Sequence, residues 1–216
     1  MPQWKLWLEG SESTRFLWIH GIPGAGKTIL ASFLIRLCQD HCVATANDTA
    51  CVYYYCSYQN NQDEALPLLR WVVGQLCRNT GQIPKGIHDI HHLSQQPDMD
   101  LLLDALDILL SGMKTVYIVV DAVDESMPRA DLLELIERLV TDVRFQKVQV
   151  LATSRNYFDI ETVLSRLSTS ISMSNDEVDK DIRVYAKAEI DRKCSSWGPE
   201  LKSEVLEALV LGAKGM

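Results

Sequence analysis

The sequence is short of positive charge, of long apolar runs and of paired cysteine spacings, and each shortage removes a class of function. Its 21 Lys and Arg stand against 29 Asp and Glu, leaving a formal net charge of -8. A broad nucleic-acid or anionic-membrane surface needs clustered Lys and Arg, so neither partner is expected, although a small local positive site is compatible with the total. The apolar run around residues 116–120 is far shorter than the roughly 18 residues of a membrane-spanning helix. The N-terminal MPQWKLWLEG holds one Lys and then an apolar patch broken by Glu9, which is not the build of a secretory leader. A cytoplasmic location with reduced thiols is therefore the expectation for the six cysteines, Cys38, Cys42, Cys51, Cys56, Cys77 and Cys194. Cys38, His41 and Cys42 cluster, but no second pair stands at zinc-ribbon spacing. They read as buried or half-buried thiols near the end of a helix rather than as metal ligands. No internal repeat, low-complexity segment or guanine-reading N-K-x-D motif occurs.

With 216 residues, 47% of them hydrophobic and 23% charged, the chain has room for one domain with a sizeable core and a small extension. Short apolar runs alternate with helical patterns. RFLWIH at 15–20 reads as a buried strand, and over 27–42 Ile29, Leu30, Phe33, Leu34 and Leu37 recur at helical spacing. ACVYYYCS at 50–57 is rich in β-favouring side chains and reads as a second strand. A helix follows over 63–79, with Leu66, Leu69, Val73 and Leu76 on one side and Pro67 tolerated in its first turns. Residues 80–97 contain Gly81, Pro84, Gly86 and Pro97 and read mostly as loop, which makes His88, His91 and His92 solvated loop histidines. Further helices are expected over 98–110, stopped by Gly112, over 128–145, opened by Pro128, and over 178–193 and 199–211. Strands are expected at 115–121, 148–153 and 170–173. Strands that are apolar throughout and alternate with helices imply a parallel sheet covered on both faces, with its functional loops at the strands' carboxyl ends. Trp4, Trp7 and Trp18 are expected to serve the core.

Between the first strand and the first long helix lies Gly21-Ile22-Pro23-Gly24-Ala25-Gly26-Lys27-Thr28, which matches G-x-x-x-x-G-K-[ST] at every fixed position. Glycines let main-chain N–H groups converge on an anion, and the start of the next helix adds the positive end of its dipole. Gly21, Pro23, Gly24, Ala25, Gly26, Lys27, Thr28 and Ile29 are therefore the candidate nucleotide-binding residues. Lys27 can reach the β- and γ-phosphates, and the Thr28 hydroxyl can ligate Mg²⁺. Gly-rich turns also join strands to helices for geometric reasons alone; the flanking strand and helix favour the phosphate reading.

The third strand ends in Val119-Val120-Asp121-Ala122-Val123-Asp124-Glu125. A carboxylate at such a strand tip can hold Mg²⁺ directly or through water, so Asp121 joins Thr28 as a candidate metal ligand. The carboxylates one loop turn on can orient and deprotonate an attacking water. After the next strand comes Thr153-Ser154-Arg155, where a cation can stabilise the charge of a transferring phosphoryl group.

Taken in order, G-I-P-G-A-G-K-T, V-V-D-A-V-D-E and A-T-S-R resemble the NACHT class of STAND NTPases. That class places a small residue after the metal-binding Asp and two acidic residues a step later, as Ala122, Asp124 and Glu125 stand here. LWIHGIPGAGKT and the closing GAKGM resemble fungal NACHT proteins most, and the resemblance runs from about residue 15 to the C-terminus. It implies a three-layer α/β P-loop NTPase with a mostly parallel five-stranded sheet in the order 5-1-4-3-2 and a C-terminal helical segment. It also implies an ATP/ADP switch with Mg²⁺, in which Glu125 is the base for water, Asp124 assists or exchanges that role, and Arg155 reports on the γ-phosphate. Self-association in a signalling parent of the innate-immune type is the implied setting. The effector, sensor repeats and histidine-bearing winged-helix region of the class are absent from this chain, which is expected to be an excised fragment.

The expected organisation is a linker over 1–13, an NTPase core over 14–175 and the start of a helical subdomain over 176–216. Three functions stay open: an ATP-hydrolysing switch, a nucleotide-binding scaffold without turnover, and a small-molecule kinase. A kinase usually carries a basic lid, and no Arg-rich segment lies between 156 and 200. Adenine is the expected base; Leu6, Trp7 and Leu8 are offered as its walls, with a core or linker role preferred.

Overall fold

The computed structural model describes residues 2–10, 15–45, 48–92, 96–173 and 176–213. Five strands, β1 (Phe16–His20), β2 (Thr49–Tyr55), β3 (Thr115–Asp121), β4 (Val148–Ser154) and β5 (Thr169–Ser172), form one sheet in the order β2-β3-β4-β1-β5. Every neighbouring pair is parallel. This is the expected 5-1-4-3-2 order read from the other edge.

The strand sequences explain why the sheet is covered twice. Side chains alternate between faces, and both sets are apolar. Phe16, Trp18, Val52, Ile118, Val120 and Val150 belong to one buried cluster, whereas Leu17, Ile19, Cys51, Tyr117, Val119 and Leu151 belong to the other. The helices in chain order are α1 (Pro2–Leu8), α2 (Lys27–Thr45), α3 (Ala65–Thr80), α4 (Lys85–His92), α5 (Met99–Ser111), α6 (Ala130–Thr141), α7 (Phe158–Leu164), α8 (Asp176–Lys193) and α9 (Pro199–Ala213). Leu69 and Leu76 of α3, Leu106 of α5, Ile136 of α6 and Ile160 of α7 close the first cluster; Trp7 of α1 and Leu34 of α2 close the second. The α8–α9 hairpin packs chiefly on itself. No helix of the described residues is long and apolar enough to cross a membrane.

Several local expectations need correction. The segment expected as a linker over 1–13 carries α1, whose Trp7 is fully buried and donates its indole N–H to the Val150 carbonyl at 2.8 Å. Trp4 stacks on it with ring centroids 5.1 Å apart. Trp7 is thus a core residue, the role preferred for it over a pocket wall, and Leu6 is exposed.

The stretch 80–97 is not mostly loop, because α4 runs through it. The Pro84 carbonyl accepts from the N–H groups of Ile87 and His88 at 3.0 and 3.1 Å, so the proline sits where its missing N–H is no loss. Gly86, read as a breaker, is where α4 meets α5: a Cβ there would lie 2.9 Å from Leu101 Cδ1. His88 therefore rides a helix beside Asp89, at 3.8 Å; the side chains of His91 and His92 lie outside the described residues.

The helix expected over 128–145 is shorter, with Pro128 before it rather than in its first turn. Asp142 ends it and starts a separate 3₁₀ turn over Val143–Phe145 by accepting from the Arg144 N–H at 2.9 Å.

Candidate functional site

The parallel topology brings the carboxyl ends of β1, β3 and β4 side by side, and each delivers one motif. After β1 the chain passes Gly24 and Gly26 at φ 81° and 84° before α2 begins at Lys27. That left-handed conformation costs an ordinary L-residue roughly 1–2 kcal/mol, which is why glycine stands at both points. The Leu30 N–H donates to the Gly26 carbonyl at 2.9 Å. The N–H groups of Lys27, Thr28 and Ile29, one turn ahead of it, have no carbonyl behind them in the helix. They form a donor set of the kind that accepts a phosphate. Lys27 curls back over this loop, its Nζ donating to the Gly21 and Ile22 carbonyls at 2.9 Å each. Burial lowers its pKa from the ordinary lysine value; Asp124 and Asp121 oppose the shift, and Arg155 adds to it.

At the end of β3, Asp121 is buried and its Oδ1 accepts from the Thr153 hydroxyl at 2.5 Å. The same hydroxyl oxygen accepts from the Ala122 N–H at 2.9 Å, tying the tips of β3 and β4 together. Ala122 adopts φ 58° and starts a 3₁₀ turn, Val123–Glu125. Asp124, also buried, receives Arg155 twice: its Oδ1 accepts the backbone N–H at 3.0 Å, and its Oδ2 lies 3.1 Å from Nε. Arg155 also donates to the Tyr157 hydroxyl at 3.2 Å, and the Arg129 guanidinium lies 5.3 Å from the centre of that ring. Glu125 is half-buried and its Oε2 accepts the Tyr58 N–H at 3.3 Å.

These groups face one another across a cleft of about 280 Å³, with Pro23, Gly24, Gly26, Lys27, Thr28 and Ile29 on one side and Asp124, Glu125 and Arg155 on the other. Asp121 lies beneath it, reached through Thr153. Ala25 is half-buried in the loop, its N–H donating to the Ile22 carbonyl at 3.3 Å. Gly21 and Pro23 border a neighbouring cleft of about 420 Å³ that shares Arg155 and adds His20 and Tyr157. A larger cleft of about 830 Å³ lies at the opposite end of the sheet and holds none of these groups. Among the described residues no group of three or more His, Cys, Asp or Glu side chains is set to hold a metal. That suits Mg²⁺ all the same: it is usually bound through one or two protein oxygens together with substrate phosphates, which Thr28 and Asp121 can provide.

Several residues that shape the site carry little local signal in the sequence. Thr153 stands within T-S-R, where Arg155 is the more conspicuous residue. Glu64 had no signal at all. Fully buried, it accepts from the Tyr54 hydroxyl at 2.5 Å and Asn60 Nδ2 at 2.7 Å, and its N–H donates to Ser126 Oγ at 3.0 Å. Burial, then the bond to Glu64, pushes the Tyr54 phenol well above its usual value. This cluster braces the loop after β2 against the acidic turn. Cys56 beside it is an inert thiol, raised by burial and by surrounding carboxylates.

A family model described as Nephrocystin 3, N-terminal, matches residues 1–155. The vegetative incompatibility protein HET-E-1 of Podospora anserina is 24% identical over 212 residues, which cover 94% of this chain and 15% of that protein. Among solved structures, the Aeropyrum pernix ORC2 protein in its ADP form aligns over 92% of this chain and 53% of its own, with a TM-score of 0.52 and 13% identity. The Aeropyrum pernix ORC1 protein in complex with DNA aligns over 88% of this chain and 55% of its own, with a TM-score of 0.52 and 15% identity. At such identities these two structures speak for the fold alone.

Proposed function

We propose, from the premise that this chain belongs to the nephrocystin 3 N-terminal family and is a NACHT-type STAND NTPase domain, that it binds ATP with Mg²⁺ and hydrolyses it slowly, the nucleotide state setting its conformation and self-assembly. One observation carries the reading: a phosphate-type donor loop with its lysine faces two carboxylates and an arginine across a single cleft of about 280 Å³.

The donors between Gly24 and Ile29 receive the phosphates, and Lys27 exchanges two neutral carbonyls for anionic oxygens, a stronger class of hydrogen bond for a half-buried ammonium. Thr28 and Asp121 would hold Mg²⁺, which would supply neutralisation of the phosphate charge. Asp124 is committed to Arg155 by both its oxygens, so it positions the arginine, and Glu125 is the base for the attacking water. The Tyr58 N–H already occupies Glu125 Oε2 at 3.3 Å, leaving Oε1 for the water's proton, and this partial engagement is in keeping with slow turnover. The same contact favours the second reading, a scaffold that binds nucleotide and does not turn it over.

The wider assignments rest on this one. An NTPase core over 14–175, the start of a helical subdomain over 176–216, a cytoplasmic site and the absence of a nucleic-acid partner are parts of the same proposal. So is an innate-immune type of signalling, for which a relative named as a vegetative incompatibility protein gives support. The chain spans 15% of that relative's length, so effector and sensor functions lie with other parts of such a protein.

Binding and single-turnover assays test the proposal. Lys27→Ala should lose binding of labelled ATP, whereas Glu125→Gln should keep it and release phosphate on the order of 10²–10³-fold more slowly. ATP binding by Lys27→Ala equal to that of the unaltered chain would sink the nucleotide reading. Equal phosphate release with and without Glu125→Gln would leave the scaffold.

A further inference from the structure

Arg155 borders two clefts at once. One, of about 280 Å³, holds Lys27, Thr28 and Glu125; the other, of about 420 Å³, is lined by His20, Asn156 and Tyr157 among others. A group from each cleft holds the guanidinium. From the first, Asp124 places its Oδ2 3.1 Å from Nε. From the second, the Tyr157 hydroxyl accepts from Nη1 at 3.2 Å.

Tyr157 is fixed where it stands. It immediately precedes α7, whose Ile160 and Leu164 are fully buried, and its carbonyl accepts from the Glu161 N–H at 2.8 Å. Its own N–H donates to the Arg155 carbonyl at 3.1 Å, so the two residues share one tight turn. The Arg129 guanidinium lies 5.3 Å from the centre of the tyrosine ring, and Arg129 is itself held by Asp159 at 3.3 Å and by the Asp124 carbonyl at 3.2 Å. The phenol is therefore presented to Arg155 already ordered, with little side-chain entropy left to lose.

The two partners of the guanidinium are unequal. Asp124 is a buried anion, and charge-assisted pairing of this kind is the stronger class of hydrogen bond. The phenol offers a neutral oxygen at a partly exposed position, so its bond is the weaker of the two. A γ-phosphate in the first cleft can be gripped end-on by Nη1 and Nη2 together while Nε stays with Asp124. The partner given up in that turn is the hydroxyl in the second cleft.

We propose, resting on the nucleotide reading above, that Tyr157 sets the preference of the site between nucleotides, holding Arg155 back from the γ-phosphate position and so favouring a nucleoside diphosphate over a triphosphate. ADP has no γ-phosphate to draw Arg155 away, and the bond to the hydroxyl survives its binding. ATP exchanges that bond for one to the γ-phosphate, which lowers what the γ-phosphate contributes to affinity. Tyr157 is thus a positioning residue that acts on the nucleotide only through Arg155.

The test compares, by titration calorimetry of the whole chain with Mg²⁺, the Kd for ADP and the Kd for a non-hydrolysable ATP analogue. Tyr157→Phe keeps the ring beside Arg129 and removes only the hydroxyl. It should tighten binding of the analogue roughly two- to tenfold, the worth of one net hydrogen bond, and leave ADP unchanged. In an Arg155→Ala background the same replacement should move neither Kd, because the hydroxyl then has nothing to hold. An analogue bound no more tightly, a shift of both nucleotides by the same factor, or a shift that survives in Arg155→Ala would overturn the proposal while the nucleotide reading stands. An unaltered chain that binds neither nucleotide would remove both.

Discussion

Ala122 shows how one residue type serves backbone and chemistry together. Its φ of 58° turns the chain from the end of β3 back toward the phosphate loop, and its N–H is anchored on Thr153 Oγ1 at 2.9 Å. A left-handed conformation costs an L-residue roughly 1–2 kcal/mol, and for a β-branched side chain it is a genuine outlier. Ala122→Gly relieves that strain but adds about 0.5–1 kcal/mol of backbone entropy, so near-neutral stability is expected. Ala122→Val should destabilise by more than about 1 kcal/mol, and its side chain would also enter the cleft that Ala122 lines. Urea titrations with unchanged slope would measure both; a valine variant as stable as the unaltered chain would contradict the turn. At this scale the sequence was legible wherever the chemistry is contiguous, as from Gly21 to Thr28 or Asp121 to Glu125. It was opaque where partners are distant in the chain: Tyr58 with Glu125, Thr153 with Asp121, Glu64 with Ser126. Nothing in a local spacing states those pairs.

Among the elements, β1, β3 and β4 were readable because both their faces are buried, which leaves continuous apolar runs. Short helices were not. The seven residues of α1 and the seven of α7 are too few for a 3.6-residue period to show. In α4, Pro84 and Gly86 imitate a loop while serving a helix start and a close helix contact. Consequently α1 offers the sharper test of element against linker. Trp7 is fully buried, and its indole bonds across to β4. Trp7→Ala should cost about 3–5 kcal/mol, the usual loss for emptying a large aromatic site. Leu6, one residue away and 47% exposed, should change stability by less than about 0.5 kcal/mol when truncated. Denaturation midpoints that moved equally in the two variants would mean that α1 is no part of the core.

For the molecule as a whole, the site is assembled from strand ends that only the fold brings together, so a nucleotide would hold the chain closed around itself. A ligand that binds only the folded state adds RT ln(1 + [L]/Kd), about 2.7 kcal/mol at a hundredfold excess over Kd. For a chain of 216 residues that corresponds to a rise in Tm of about 5–11 °C. Scanning calorimetry with ATP and Mg²⁺ should show this rise, and chelating the metal should shrink it. Glu125→Gln should keep the shift, because it loses a proton acceptor and no phosphate contact, whereas Lys27→Ala should lose most of it. Hydrogen exchange would then show where the added stability goes. Protection should grow at the start of α2 and the tips of β3 and β4. The α8–α9 hairpin, which packs chiefly on itself, should exchange at an unchanged rate, because local opening there does not pass through the site. A thermal shift of equal size in Lys27→Ala would place the ligand elsewhere on the surface, since no other cation in the cleft lies on the phosphate loop.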